Sequence, residues 1–166
     1  MARAPLPQRS QPVRANGGVE VEAPPLSWQT IGLVILGAIT VNILVGQIVQ
    51  RVLQLPIYLD SIGTIVIGAL FGPVAGALTG MASNLIWGLI FQQPNVVPFA
   101  ITAAWVGWAA GYAVHLGAFR NVGYVAITGL FVGAVGALIS APIVAHLFGG
   151  VTGAGTDRLV SYFGTL

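Results

Sequence analysis

The apolar positions of this chain come in long runs, and the polar ones collect in the short gaps between them. The runs cover about residues 28–49, 57–71, 74–91, 99–116 and 124–148. None alternates with the period of two that a half-buried strand or a membrane barrel requires. Runs of roughly 18 or more apolar residues read as helices that cross a bilayer. The second run is short for a crossing, and the fifth is interrupted by Pro142. The pattern predicts an all-α membrane protein, a helical bundle of five spans. Residues 158–166 read as the start of a sixth helix, so the chain is expected to be a truncated form of a longer one. Residues 1–26 are rich in Pro, Gln, Arg and Ala and cannot bury a core. They are expected to form a disordered cytoplasmic tail, leaving 27–166 as the bundle.

Composition narrows the class further. The chain is 56% hydrophobic and only 6% charged, with a mean hydropathy of +0.90. Ordinary soluble domains carry about 25% charged residues. The basic residues are all arginine, and three of the six (Arg3, Arg9 and Arg14) lie in the tail. There is no basic patch interleaved with aromatics, so the pI near 9.5 does not point to nucleic acid. The arginines read instead as a topology signal. A cytoplasmic N-terminus puts Arg3, Arg9, Arg14 and Arg120 inside, with Arg51 and Arg158 outside or at the interface. Cysteine is absent, which excludes disulfides, thiolate chemistry and Cys-based metal sites.

The break at Gly72-Pro73 reads as a tight hairpin on the inner side, Pro73 being suited to the first position of the next helix. Small residues recur every fourth position in three stripes: Gly68, Gly72, Gly76 and Gly80; Ala103, Gly107 and Gly111; Gly129, Gly133, Ala137, Ala141 and Ala145. Such stripes let helix backbones approach closely in lipid, either within the bundle or against another membrane subunit.

Under this topology the unusual polar residues gather towards the outer face. Asp60 opens the second span, and an ionisable group at a membrane span is costly and usually functional. It is either a ligand group or a helix N-cap, where a carboxylate satisfies orphan N–H groups. Asn84 is either a ligand contact or a hydrogen bond to a neighbouring helix. Trp87 and Trp105 are able to stack on a planar ring or to sit as plain interfacial aromatics. Asn95 lies in the polar turn after the third span, His146 near the end of the fifth, and Thr152 and Asp157 in a glycine-rich loop. Paired carboxylates, an HExxH motif, a nucleophile elbow and a Walker loop are all missing, and two histidines on separate spans are a weak metal signal. An enzyme is not expected, and neither a cofactor nor a metal site is predicted.

The stretch LPIYLDSIGTIVIGALFGPVAGALTGMASNLI, followed later by FGGVTGAGTD, resembles the substrate-binding S component of an energy-coupling factor (ECF) vitamin transporter. The resemblance covers residues 28–166 and is most specific over 60–73. It implies a six-helix, multi-pass protein of the bacterial plasma membrane that binds a micronutrient (a vitamin or precursor) at the extracytoplasmic side. It also implies partners: a transmembrane coupling protein and two cytoplasmic ATPases. The binding residues it implies map onto Asp60, Asn84, Trp87, Asn95, Trp105, His146, Thr152 and Asp157. An Ala-x-x-x-Ala docking patch, frequent on the family's first helix, is not met strictly here: Val41 and Asn42 follow Gly37 and Ala38 by four residues. Two other classes compete with this reading. A membrane-embedded sensory input module would continue into a signalling domain, and a ligand-free structural subunit would pair its outer polar groups with one another.

Overall fold

The computed structural model describes residues 27–53 and 59–151, and these form helices and turns without any strand. Five α-helices follow in order: α1 Trp28–Gln47, α2 Ile62–Phe71, α3 Pro73–Ile90, α4 Ala100–His115 and α5 Val122–Phe148. Helices are the natural answer to these sequences, because hydrocarbon offers no partner to a free backbone N–H or C=O. Four stretches are long and apolar enough to cross a bilayer: Trp28–Gln50, Pro73–Ile90, Pro94–His115 and Val122–Phe148. The remaining helix, α2, has 10 residues. At about 1.5 Å per residue it rises only about half of a ~30 Å hydrocarbon core.

Helix ends are set by local chemistry. Ser27 caps α1, its Oγ accepting from Thr30 N at 3.1 Å. At its far end α1 widens into a π turn, Ile48–Val52, closed by Leu53 N donating to Ile48 O at 2.9 Å. The expected Gly-Pro hairpin is present: Gly72 has φ 94, in the left-handed region, and Pro73 is the first residue of α3. A short 3-10 helix, Pro94–Phe99, leads into α4, and Asn121 caps α5 by accepting from Gly123 N at 2.7 Å. The interruption expected at Pro142 does not occur, since α5 runs unbroken from Val122 to Phe148. Proline removes one helical N–H there, a loss that membrane helices tolerate when neighbouring groups and local adjustment re-satisfy the carbonyl.

Glycine decides how the bundle packs. The α2–α3 stripe and the α4 stripe interlock: Gly68 and Gly76 lie against Gly107, Gly80 against Ala103, and Gly111 against Gly72 and Pro73. Those contacts are backbone to backbone, closer than any side chain would allow. On α1, Ala38 meets Gly63 of α2, so the Ala38 and Asn42 side of α1 faces inward while Gly37 and Val41 are exposed. The third stripe behaves differently. A methyl group added at Gly129 or Gly133 would meet nothing within 4 Å, and of α5 only Gly136 is buried. The α4 partner face of α5 is instead the neighbouring row, Val132, Gly136 and Ser140.

Candidate functional site

Asn42, in the second half of α1, is 1% exposed, as buried as Thr64 and Thr79. Its Nδ2 donates to Thr64 Oγ1 at 2.8 Å and to Ser83 Oγ at 3.0 Å. Its Oδ1 accepts from Gly63 N at 2.7 Å. Ser83 Oγ in turn donates to Thr79 O at 2.8 Å, and Thr79 Oγ1 to Ala75 O at 2.8 Å. One amide thus ties α1 to α2 and α3. Gly63 occupies the second position of α2, where the N–H has no partner inside the helix. Asn42 therefore performs from another helix the capping that the sequence offered to Asp60. Ser61, at the cap position itself, makes no side-chain capping bond. Asp60 is therefore not needed to cap the first turn of α2.

Asp60 lies one step further toward the end of the bundle. A methyl group placed on Gly46 of α1 would sit 3.0 Å from Asp60 Cβ and would overlap the six-membered ring of Trp87 from α3. Only glycine at 46 lets the indole lie against the α1 backbone. Trp87 is 1% exposed and packs with Ile39 and Ile43. Among the described residues its indole Nε1 is buried without a hydrogen-bond partner, and so is Nε2 of Gln47, the residue after Gly46. A buried N–H left unpaired costs about 1–3 kcal/mol, so each of these two groups calls for an acceptor. The π turn of α1 begins immediately after Gln47, and such turns are frequent at functional sites.

Of the other expected residues, Asn84, Asn95, Trp105 and His146 lie toward the same end of the bundle without converging there. Asn84, 8% exposed, precedes Trp87 by one turn on the same buried face of α3. Asn95 and His146 are exposed, and near His146 the rings of Phe99 and Phe148 stack at 6.0 Å. Trp105 belongs to a different seam. Its Nε1 donates to Val132 O of α5 at 3.1 Å, its ring stacks on Trp108 at 5.7 Å, and one turn away Thr102 and Ser140 share a hydrogen bond of 3.0 Å. Thr152 and Asp157 lie outside the described residues. Among the described residues no group of three or more His, Asp or Glu gathers to hold a metal ion.

Sequence reasoning missed Asn42, Ser83, Gly46 and Gln47. The available signal was the presence of two amides, Asn42 and Gln47, beyond the first turn of a 20-residue apolar helix, where each has to find a partner.

The fold is all-helical, with four helices of the length and hydropathy that suit a multi-pass membrane protein. No family model matches the chain, and no curated protein or solved structure matches it either.

Proposed function

We propose that this chain is the substrate-specificity subunit of an ATP-driven uptake system of the ECF type. It binds a micronutrient, a vitamin or precursor, at the extracytoplasmic end of the bundle. The N-terminus is then cytoplasmic and the chain works in a bacterial plasma membrane. Its partners are a transmembrane coupling protein and the cytoplasmic ATPases. The observation that carries this reading is that Trp87 Nε1 and Gln47 Nε2 are buried donors with no partner among the described residues, on side chains that meet near Gly46 and Asp60, where the Trp87 ring edge lies. Two N–H donors suit a carbonyl, carboxylate or ring nitrogen, and the Asp60 carboxylate suits a cationic or donor group on the same molecule. Asn84 extends the site along α3. Asn95, Trp105, His146, Thr152 and Asp157 enter on the resemblance to S components alone.

The test is native mass spectrometry of the purified full-length protein, to find a small molecule that travels with it. Trp87→Phe keeps an aromatic six-membered ring but removes the donor with the pyrrole ring, and is expected to weaken retention at least about five- to tenfold, the worth of one neutral hydrogen bond, with the space left behind adding to the loss. Asp60→Asn is expected to weaken it at least tenfold, as a charged partner is lost. Absence of any bound molecule, with both variants as stable as the parent, would sink the reading. A ligand-free structural subunit is the second reading, favoured by the pairing of Asn42 with Thr64, Ser83 and Gly63. It predicts exactly that null result.

A further inference from the structure

At the opposite end of the bundle α4 and α5 part to leave a groove of about 140 Å³. Val106, Ala110 and Ala113 form one wall, Val125, Gly129 and Val132 the other, with Ile65 of α2 and Phe119 of the connecting turn also lining it. The helices are pinned together above it by Trp105–Val132 and Thr102–Ser140 and below it by the turn that joins them. From Val106 to Ala113 and from Val125 to Val132 the slot follows the helix axes for about 10 Å at 1.5 Å per residue. A neighbouring helix packs by interleaving side-chain ridges and would send only a side chain or two into a slot this narrow. Its length and width suit a segment of one hydrocarbon chain lying along the helix axes.

The end of the slot is basic. Phe119 and Ala118 line it, and Arg120 is the next residue, exposed, its Cδ, Nε and Cζ folded back toward Gly117 within 3.5–3.7 Å of where a Cβ would stand. The N-terminus of the 27-residue α5 begins two residues later, adding the positive end of a helix dipole. His115 is close in the chain, at the end of α4. Among the described residues no carboxylate lies near Arg120: the one acid there, Asp60, is at the other end of α2. A basic group over an apolar slot between membrane helices is the arrangement that receives an anionic lipid headgroup.

We propose that the α4–α5 groove is a binding site for one acyl chain of an anionic phospholipid, whose phosphate is held by Arg120. The site is separate from Asp60 and Trp87, and stands whether or not the uptake reading does.

The test uses the full chain in mild detergent, titrated with phosphatidylglycerol and with phosphatidylcholine of identical acyl chains and read by native mass spectrometry. The parent is expected to retain phosphatidylglycerol about fivefold better, the worth of one arginine at a lipid surface. Arg120→Gln is expected to abolish that preference while still binding both lipids. Gly129→Leu, which fills the slot from a position with open space before it, is expected to lose both. Gly133→Leu, also in open space but outside the lining, is expected to bind as the parent does, which controls for general damage to α5. Equal retention of the two lipids by the parent, or a preference that survives Arg120→Gln, would overturn the proposal. So would lipid retained by Gly129→Leu, or a dimer that this substitution dissolves.

Discussion

Gly107→Val is expected to disrupt the bundle more than any other single substitution. The Cβ it adds would overlap the carbonyl of Gly76 and stand 2.8 Å from Ala77 N, so the atoms in the way are backbone. Overpacking a core usually costs about 1–3 kcal/mol because side chains shift to make room. Here no side chain is available to move, and α3 must retreat from α4 along its whole contact. The expected loss lies at or above the top of that range. It is read as the fall in thermal or denaturant stability of the detergent-solubilised protein, with Gly133→Ala as the paired control. The latter adds a methyl in open space and is expected to be neutral or to gain up to about 1 kcal/mol in helix propensity. Equal effects at the two positions would show that α3 and α4 do not pack through glycine.

Asn42→Leu is expected to have the second largest effect, about 2–3 kcal/mol of stability. Leucine repeats the branched outline of asparagine but is larger, so some overpacking adds to the loss of the hydrogen bonds. Ser83 keeps its own bond to Thr79 O, and the hydroxyl of Thr64 merely loses a donor. The N–H of Gly63 is the group that cannot find a new partner, and leaving such a group buried costs about 1–3 kcal/mol. Ser83→Ala removes one arm only and should cost about 0.6–1.7 kcal/mol, the range for hydrogen bonds between membrane helices. A double-mutant cycle between Asn42 and Ser83 measures the coupling directly. Additivity of the two changes would mean that the network does not tie α1 to α3.

How the sequence announced these features differs from one to the next. Gly72-Pro73 was legible because its requirement is local: a left-handed residue followed by one that starts a helix. The spans were legible because hydrocarbon acts on every residue of a run alike. The three small-residue stripes looked equivalent, yet two interlock and the third meets open space at Gly129 and Gly133. Spacing states that a backbone can be approached, and says nothing of which backbone arrives. Asp60 was read as ligand group or cap because the capping rule looks only at neighbours in sequence. The cap came from Asn42, 21 residues away. Trp87 and Trp105 had the same standing as candidate aromatics. One ends with a buried N–H that has no partner among the described residues and the other bonded to Val132 O, a difference fixed by the helix each one faces.

The sequence by itself determined that this is an all-helical chain with runs suited to a membrane, broken at Gly72-Pro73 and the polar turn after α3. Those properties follow from hydropathy and backbone conformation, which are summed residue by residue. Only the tertiary structure decided which face of each helix is inside. It thereby decided that Gly46 admits Trp87, that Asn42 ties three helices together, and that a groove opens between α4 and α5. In lipid nearly every side chain is apolar on both the packed and the exposed side, so the usual contrast between core and surface is missing. Close backbone approach and the pairing of a few buried polar groups fix the arrangement instead, and both depend on residues far apart in the chain.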